Sequence, residues 1–528
     1  MLIIQGLTYA HSNGDLLFND INLNINKYHK TALIGNNGSG KSTLLKLLAG
    51  DLLPTAGLIT THSRPYYVPQ IFGQFDDVTI GQALRVDQKV KALKEILDGG
   101  AKDENMALLD DDWTIEDRCT AALAYWGLAN LDLTEKMRTL SGGQKTKVFL
   151  AGIKIHQPEI VLLDEPSNHL DSQSRNLLYE EISSSKTTML VVSHDITLLN
   201  LLHTVYELDK NGITTYGGNY GFYTEQKSIE RAALNNDLKS KEKALRKAKE
   251  VQKETLERQQ KLDARGKGKQ QKAGLPTIVI NTLKNSAERS TSHIQGVHTE
   301  KIGAISRELT ELRGSVSDVD KMKMDFANSA LHKGKVLVTA TNLNYSYNGQ
   351  LLWLQPLNFQ ILSGQRIIVK GLNGSGKTTL IKIILNELQP RQGELNSAKI
   401  KTVYIDQDYS LIDNKLSVYE QAQQYNTGTL QEHEIKIRLN RFLFSKNDWD
   451  KPCMALSGGE KMRLMLCSLT ISNQAPDLMV LDEPTNNLDI QNMEILTTAI
   501  NEYQGTLLVI SHDAHFLKQI NVEEVIEL

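Results

Sequence analysis

Two glycine-rich stretches carry residues that could bind the phosphates of a nucleotide. They run from Gly35 to Ser42 and from Gly371 to Thr378, and each fits the pattern GxxxxGK[ST]. An apolar segment ending at Ile34 precedes the first stretch and a helical pattern follows it, which is the strand–loop–helix context that a phosphate-binding loop requires. Backbone amides and a helix N-terminus attract phosphate oxygens. The sequence therefore predicts two phosphate-binding loops rather than two simple glycine turns.

Each loop also supplies side chains for the phosphates and for a metal ion. The lysine of this pattern reaches the β- and γ-phosphates, and the hydroxyl that follows it ligates Mg²⁺. Ser42 and Thr378 are therefore predicted metal ligands. We predict nucleotide contacts along both loops, by Gly35, Asn36, Asn37, Gly38, Ser39, Gly40, Lys41, Ser42 and Thr43 and by Gly371, Leu372, Asn373, Gly374, Ser375, Gly376, Lys377, Thr378 and Thr379.

Two pairs of adjacent acids could supply the chemistry of hydrolysis. Asp164-Glu165 and Asp482-Glu483 each follow a continuous apolar run, which predicts a buried parallel strand that ends at the carboxylates. The first acid of each pair suits Mg²⁺, and the second suits a general base that polarises an attacking water. Because the pair recurs at the same place in both halves, we favour these roles over an exposed acidic turn.

Two more elements recur in the same order. Ser141-Gly142-Gly143-Gln144 and Ser457-Gly458-Gly459-Glu460 each precede a helical segment. A serine in this position can cap a helix, and its hydroxyl, the bare amides and the helix dipole can also bind a phosphate. His194 and His512 each end a later apolar strand, and their repetition favours a γ-phosphate contact over a purely structural role.

A duplicated α/β domain would position these elements. The offset is 336 residues between Lys41 and Lys377 and 318 residues between Asp164 and Asp482, and such regularity indicates a repeated domain. Phosphate loops after buried strands predict an α/β fold with two tandem P-loop NTPase domains. We place the first domain at residues 1–221, an interdomain linker at 222–334 and the second domain at 335–528.

The ordered set of motifs resembles the ATP-binding cassette (ABC) ATPase family, and the resemblance covers the chain outside the linker. It implies ATP and Mg²⁺ as ligands, ATP hydrolysis, and a head-to-tail pair of cassettes. It also implies catalytic and Mg²⁺-linked roles for Gln70 and Gln407, catalytic roles for His194 and His512, and adenine stacking by Tyr347. The first implied site joins Lys41, Ser42, Gln70, Asp164, Glu165 and His194 to Ser457, Gly458 and Gly459, and the second joins Lys377, Thr378, Gln407, Asp482, Glu483 and His512 to Ser141, Gly142 and Gly143.

The linker differs from both copies in composition. Residues 223–334 contain 23 Lys and Arg against 15 Asp and Glu, a net charge of +8 in a chain whose net charge is −3. A basic insert of this kind indicates a polyanionic partner. Helix formers at 225–264, a break at 266–276 and apolar residues spaced 3-4-3-4 at 302–316 predict an antiparallel, coiled-coil-like hairpin. A solvated tether between the domains is the alternative.

Two fused cassettes joined by a basic hairpin, without the ~20-residue apolar run that spans a bilayer, resemble the ABC-F family. That resemblance implies a cytoplasmic monomer that binds the ribosome exit-site region. Linker residues 258–289 would reach rRNA, the peptidyl-site tRNA and the peptidyl-transferase centre, in a translation factor or an antibiotic-resistance factor that protects the ribosome. The ATPase subunit of a membrane ABC transporter and a nucleic-acid repair ATPase stay open, and binding to rRNA, membrane protein or duplex DNA separates the three.

Overall fold

The repeated motifs lie in two α/β domains of similar topology. The computed structural model describes residues 1–11, 13–100, 103–209, 212–272, 277–315, 331–347, 349–372, 374–428, 430–472, 474–486 and 488–528. For residues 263, 266–272, 277–291, 294 and 315 the description is of the backbone. The chain divides into two compact units, one made of Met1–Tyr223 with Met322–Leu528 and the other of Thr224–Lys321.

The first copy begins with an antiparallel sheet and continues into a mainly parallel one. Its described strands are β1 (Leu2–Ala10), β2 (Leu16–Ile25), β3 (Lys30–Ile34), β4 (Ala56–Thr61), β5 (Tyr66–Val68), β6 (Ile160–Asp164), β7 (Thr188–Val192), β8 (Thr204–Asp209) and β9 (Gly212–Tyr216). Its helices are α1 (Lys41–Ala49), α2 (Ile80–Ala83), α3 (Asp87–Leu97), α4 (Asp103–Leu109), α5 (Ile115–Tyr125), α6 (Gly142–His156), α7 (Ser172–Ser184) and α8 (Ile196–Asn200). The antiparallel sheet has the order β2-β1-β4, and the second has the order β5-β6-β7-β3-β8-β9.

Two long helices follow the first copy, α9 (Tyr220–Lys272) and α10 (Thr277–Ser315). Lys241 pairs with Glu308 and Glu242 pairs with Arg313. The partners in each pair lie at similar distances along the chain from the segment between the two helices, so the helices run antiparallel. The prediction that the helix breaks after Ala264 is wrong, since α9 continues through Gly266 and Gly268 to Lys272. A helical glycine costs only about 1 kcal/mol relative to alanine, and the lysine, arginine and glutamine residues around these two are good helix formers. The sequence also predicts an apolar tip of the hairpin at Leu275, Pro276 and Ile278. Leu275 and Pro276 lie outside the described residues, and Ile278 lies in the first turn of α10.

The second copy repeats the arrangement. Its described strands are β10 (Val336–Asn344), β11 (Ser346–Tyr347), β12 (Gln350–Leu351), β13 (Leu357–Leu362), β14 (Arg366–Lys370), β15 (Gln392–Ser397), β16 (Thr402–Ile405), β17 (Leu478–Asp482), β18 (Thr506–Ile510) and β19 (Glu524–Glu527). Its helices are α11 (Lys377–Ile384), α12 (Val418–Gln424), α13 (Glu432–Arg441), α14 (Gly458–Ile471), α15 (Ile490–Glu502) and α16 (Ala514–Gln519). The parallel sheet has the order β16-β17-β18-β14-β19, with β13-β10-β15 antiparallel.

Buried apolar strands explain why the sites form at one edge of each sheet. Every residue of β3, β6, β7, β17 and β18 is buried, as expected for parallel strands covered by helices on both faces. The carboxyl ends of these strands therefore meet at one edge, where ligands bind in folds of this type. No helix in the described part of the chain is both long and apolar enough to cross a membrane.

Candidate nucleotide-binding sites

The two phosphate loops have the same geometry. Helix α1 begins at Lys41 after Gly40, and α11 begins at Lys377 after Gly376, with φ angles of 96° and 94° at the two glycines. Lys41 Nζ donates to the carbonyl oxygens of Gly35 at 2.8 Å and Asn36 at 3.1 Å. Lys377 Nζ makes the matching bonds of 2.9 and 3.0 Å in its own loop. Both amines thus lie in the curl of the loop, where phosphates would bind.

A buried aromatic residue packs against each phosphate loop. A Cβ atom at Gly40 would lie 2.6 Å from the ring of Phe18, and one at Gly376 would lie 2.5 Å from the Leu352 side chain and 3.1 Å from Trp353 Nε1. Trp353 Nε1 also donates to the Ser375 carbonyl at 2.9 Å. Close packing and a positive φ angle both require glycine here. The sequence analysis did not identify these two aromatic residues.

The first acid of each pair is held by a tyrosine hydroxyl. Tyr67 donates to Asp164 Oδ2 at 3.1 Å, and Tyr404 donates to Asp482 Oδ2 at 3.0 Å. Ser42 is a further hydrogen-bonding partner of Asp164, as Thr378 is of Asp482. Burial raises the pKa of both aspartates, and these hydrogen bonds oppose the rise. The structure thus brings each predicted metal-binding hydroxyl next to its predicted metal-binding carboxylate.

The second acid of each pair adopts a strained backbone conformation. Glu165 and Glu483 have φ angles of 51° and 49°, in a region that residues other than glycine rarely occupy. Their amides donate to the Val192 and Ile510 carbonyls, at 2.8 Å in both cases. Burial, followed by the charge of the adjacent aspartate, raises the pKa of Glu165 to about 8. Burial raises the pKa of Glu483 to about 7, against the opposing charge of Arg175.

The two histidines face these glutamates. His194 Nε2 lies 3.3 Å from Glu165 Oε1, and His512 Nε2 lies 3.4 Å from Glu483 Oε1. Burial lowers the pKa of His194 to about 3 and that of His512 to about 4, with the nearby phosphate-loop lysine adding to the shift. Both rings are therefore neutral at pH 7 and would meet a phosphate as hydrogen-bonding groups rather than as cations.

The remaining predicted residues occupy varied positions. Gln70 and Gln407 follow β5 and β16, the first half-buried and the second exposed. Tyr347 is 53% exposed, and its hydroxyl lies 3.1 Å from Thr379 Oγ1 beside the second loop. Asn373 lies outside the described residues.

Each of the two signature segments, as we call Ser141–Gln144 and Ser457–Glu460, begins a helix with a capping box. Ser141 Oγ accepts from the Gln144 amide at 3.3 Å and Ser457 Oγ accepts from the Glu460 amide at 3.3 Å, which stabilises the starts of α6 and α14. Among the described residues, no hydrogen bond or ion pair joins Ser141 or Ser457 to the phosphate loop of the other copy.

The two copies contact each other through the segments that follow the acid pairs. The Asn37 amide in the first phosphate loop donates to Asp489 Oδ2 of the second copy at 3.0 Å. Ser172 Oγ of the first copy lies 3.1 Å from Nδ1 of His512 in the second. A cavity of about 440 Å³ is lined by Ser172 together with Gly371 and His512. Residues of both copies therefore meet at each phosphate loop.

Several buried polar atoms are suited to a nucleotide with Mg²⁺. Within the described residues, Ser39 Oγ, Asp164 Oδ1, Glu165 Oε1 and Ser375 Oγ are buried without a hydrogen-bond partner, an arrangement that proteins avoid unless a ligand or water completes it. No three His, Cys, Asp or Glu side chains of the described part form a metal site by themselves. The small number of oxygen donors in each site fits Mg²⁺, which takes few protein ligands and completes its shell with phosphate oxygens and water.

Comparisons with known proteins show which family the chain belongs to. The ABC transporter family profile matches residues 18–168 and 354–486, which is more than half of the chain. The ABC transporter ATP-binding protein YfmM of Bacillus subtilis is 30% identical over 99% of this chain and 98% of its own length. ABC transporter F family member 5 of Arabidopsis thaliana is 28% identical over 98% of this chain and 73% of its own length. The chain belongs to the ABC-F family.

The fold of this ABC-F protein also resembles a solved structure. The archaeal ribosome recycling factor aABCE1, in complex with the ribosomal stalk protein aP1, matches with a TM-score of 0.62 at 19% identity, over 99% of this chain and 87% of aABCE1. The similarity confirms the predicted fold class of two tandem P-loop NTPase domains, and the structure places the long helices α9 and α10 between them in the chain. The protein thus contains two ABC ATP-binding domains, and we call the two copies the first and second cassettes from here on.

One further pair of residues in this ABC-F protein could have been found from the sequence. Tyr67 and Tyr404 both precede the predicted glutamine by three residues, and their offset of 337 equals that of Gln70 and Gln407. The repeat therefore contains a signal for these residues, although a lone tyrosine indicates no phosphate chemistry by itself.

Proposed function

We propose that this protein hydrolyses ATP at two composite sites, binds the ribosome exit-site region, and acts through its linker on peptidyl-site tRNA and the peptidyl-transferase centre. In this role it is a translation factor or a ribosome-protecting antibiotic-resistance factor. The observation that carries the proposal is that both cassettes repeat the same three features. These are a phosphate loop whose lysine bonds the loop carbonyls, an aspartate that accepts a hydrogen bond from a tyrosine, and a glutamate that faces a histidine.

The geometry supports hydrolysis by a positioned water. In the first site, Lys41 and the loop amides would bind the phosphates of ATP, and Ser42 with Asp164 would hold Mg²⁺, which neutralises phosphate charge. Glu165 would accept a proton from the attacking water while His194 binds the γ-phosphate as a neutral donor. In the second site, the same roles would fall to Lys377, Thr378, Asp482, Glu483 and His512. Gln70 and Gln407 would sense the metal. The signature segments Ser141–Gln144 and Ser457–Glu460 would close over the ATP of the opposite cassette.

The linker favours a nucleic acid as the partner. Residues 258–289 contain eight Lys and Arg against two acids, a net charge of +6, which suits RNA phosphates. The similar archaeal factor is named as a ribosome recycling factor bound to a ribosomal stalk protein. Since both ends of the linker continue into a cassette, movement of the cassettes on ATP binding would be passed to it. A membrane transporter subunit would leave this basic hairpin without a role.

Co-sedimentation with ribosomes tests the proposal. The double variant Glu165→Gln with Glu483→Gln should retain ATP, sediment with ribosomes and stop translation. Replacing residues 266–284 by a Gly/Ser bridge should leave ATPase activity in isolation intact and remove the effect on translation. If the bridged protein still inhibits translation, the linker is a tether and the proposed action on peptidyl-site tRNA is wrong.

A matched set of charge variants refines this test. Changing Lys267, Lys269 and Lys272 to Gln should lower ribosome affinity and reduce its salt dependence, because each lost phosphate contact reduces counterion release. The control changes Lys239, Lys243 and Lys247 of the same helix, which are exposed, to Gln. Equal effects of the two sets would show that general charge, rather than the far end of the hairpin, drives binding.

A further inference from the structure

Helix α7 of the first cassette contacts the histidine loop of the second. Arg175 Nη1 donates to the His512 carbonyl at 3.3 Å, while its Nε donates to the Leu170 carbonyl at 3.1 Å. Ser172, one turn earlier, places its hydroxyl 3.1 Å from His512 Nδ1. The Arg175 side chain is buried, with 9% of the residue exposed. Arg175 therefore links the start of α7 in the first cassette to the backbone at His512 in the second.

The matching positions of the second cassette hold apolar residues. With the repeat offset of 318, Ser172 corresponds to Ile490 and Arg175 corresponds to Met493. Ile490 packs against the hydrophobic core of the first cassette, and Met493 is buried. Within the described residues, His194 Nδ1 has no hydrogen-bond partner. Among the described contacts, His194 thus lacks the polar contacts across the cassettes that His512 has, whereas the first site has a contact across the cassettes between Asn37 and Asp489.

We propose that Arg175 and Ser172 are positioning residues that act from the first cassette on the second ATP site, and that Ile490 and Met493, at the matching positions, do not act in this way on the first site. The inference rests on the proposed ATP hydrolysis and adds that the two sites depend differently on cassette pairing. Turnover by Glu483 requires the α7 contact, whereas turnover by Glu165 does not.

The contacts explain how the effect is transmitted. A bond from the guanidinium to the backbone carbonyl fixes the position of the His512 loop, and the planar arginine fork bonds two carbonyls at once. The Ser172 hydroxyl at Nδ1 restrains the ring orientation and tautomer, so that Nε2 faces Glu483 at 3.4 Å. Separation of the cassettes removes both restraints from His512, while His194 keeps the contacts of its own cassette.

Single-site backgrounds test the proposal. Glu165→Gln leaves the Glu483 site active, and Glu483→Gln leaves the Glu165 site active. Into each background we would introduce Arg175→Met or Ser172→Ile, the residues found at the matching positions. We expect kcat at the Glu483 site to fall roughly tenfold with KM for ATP nearly unchanged, as for loss of a hydrogen bond in a charged network. Turnover at the Glu165 site should stay within about twofold.

Conservative and control variants separate positioning from folding. Arg175→Lys keeps a cationic donor and should recover most of the lost turnover, and Met493→Leu should change neither site. Equal loss at both sites, or no loss at the Glu483 site, would overturn the proposal. The Nδ1 and Nε2 resonances of ¹⁵N-labelled histidines provide a readout that needs no hydrolysis. Ser172→Ala should shift those of His512 and leave those of His194 in place, and an unchanged His512 spectrum would likewise overturn the assignment even if the protein proved inactive as an ATPase.

Discussion

The Asp489 carboxylate accepts a hydrogen bond at 3.0 Å from the backbone amide of Asn37, in the phosphate loop of the other cassette. The same side chain caps α15 by accepting from the Asn492 amide at 2.8 Å. Its charge also favours the protonated amine of Lys41, whose pKa burial lowers. A single carboxylate therefore joins a helix start in the second cassette to the nucleotide loop of the first.

Replacing Asp489 by asparagine should separate these two roles. Asparagine caps a helix about as well as aspartate, so thermal stability should stay close to that of the parent protein. Loss of the negative charge weakens the bond to Asn37, and we expect turnover at the Glu165 site to fall roughly tenfold. ATPase assays in the Glu483→Gln background measure this change. Asp489→Ala should in addition lower stability by about 1 kcal/mol, and an asparagine variant as unstable as the alanine variant would contradict the argument.

Removal of either proposed general base should strongly reduce ATP hydrolysis at its own site only. Glu165→Gln and Glu483→Gln preserve the size of the side chain at a residue whose backbone is strained, but the amide does not accept a proton from water. Each change should reduce turnover at its own site by about 10²–10⁴-fold, and the double variant should bind ATP without hydrolysing it. ATP binding and single-turnover hydrolysis are the measurements, and a double variant with turnover within about threefold of wild type contradicts the assignment.

The tyrosines beside the metal-binding aspartates should affect the requirement for Mg²⁺. Tyr67→Phe or Tyr404→Phe removes the hydroxyl that bonds Oδ2 of Asp164 or Asp482 and leaves a buried carboxylate with one donor fewer. Because such a loss costs about 1–3 kcal/mol, the Mg²⁺ concentration for half-maximal ATPase should rise about fivefold or more in the matching single-site background. The apparent Mg²⁺ affinity of the ATP-bound protein, measured by calorimetry, should weaken in parallel.

A third tyrosine provides the control for this prediction. Tyr206 also donates from a buried site, to the Asn24 carbonyl at 2.9 Å, but it contacts no carboxylate of either site in the described hydrogen bonds. Tyr206→Phe should leave the Mg²⁺ dependence unchanged. A similar shift in all three variants would assign the effect to general loosening of the cassette.

Local chain geometry explains why much of each site could be predicted from the sequence. A phosphate loop is a continuous segment, so the positions of Lys41 and Ser42 follow from spacing alone, and the acid pairs follow from buried strands. The supports of the site come from elsewhere in the chain: Trp353 packs from a segment before the loop, and Arg175 comes from the other cassette. No local pattern distinguishes such residues from core or surface ones. The helix through Gly266 likewise depended on its neighbours, not on the glycine itself.

The indole of Trp353 should contribute to ATP affinity in the second cassette. Trp353→Phe keeps a ring against Gly376 but removes the bond from Nε1 to the Ser375 carbonyl, 2.9 Å long, which holds the loop in shape. A neutral hydrogen bond contributes about 0.5–1.5 kcal/mol, so the Kd for ATP should rise roughly 2- to 12-fold, measured by calorimetry in a Lys41→Ala background that isolates the second loop. Trp449→Phe is the matched control, since its indole donates to the Phe444 carbonyl at 3.1 Å away from the loop and should leave the Kd unchanged. Equal weakening by both variants would show that Trp353 stabilises the cassette as a whole rather than its phosphate loop.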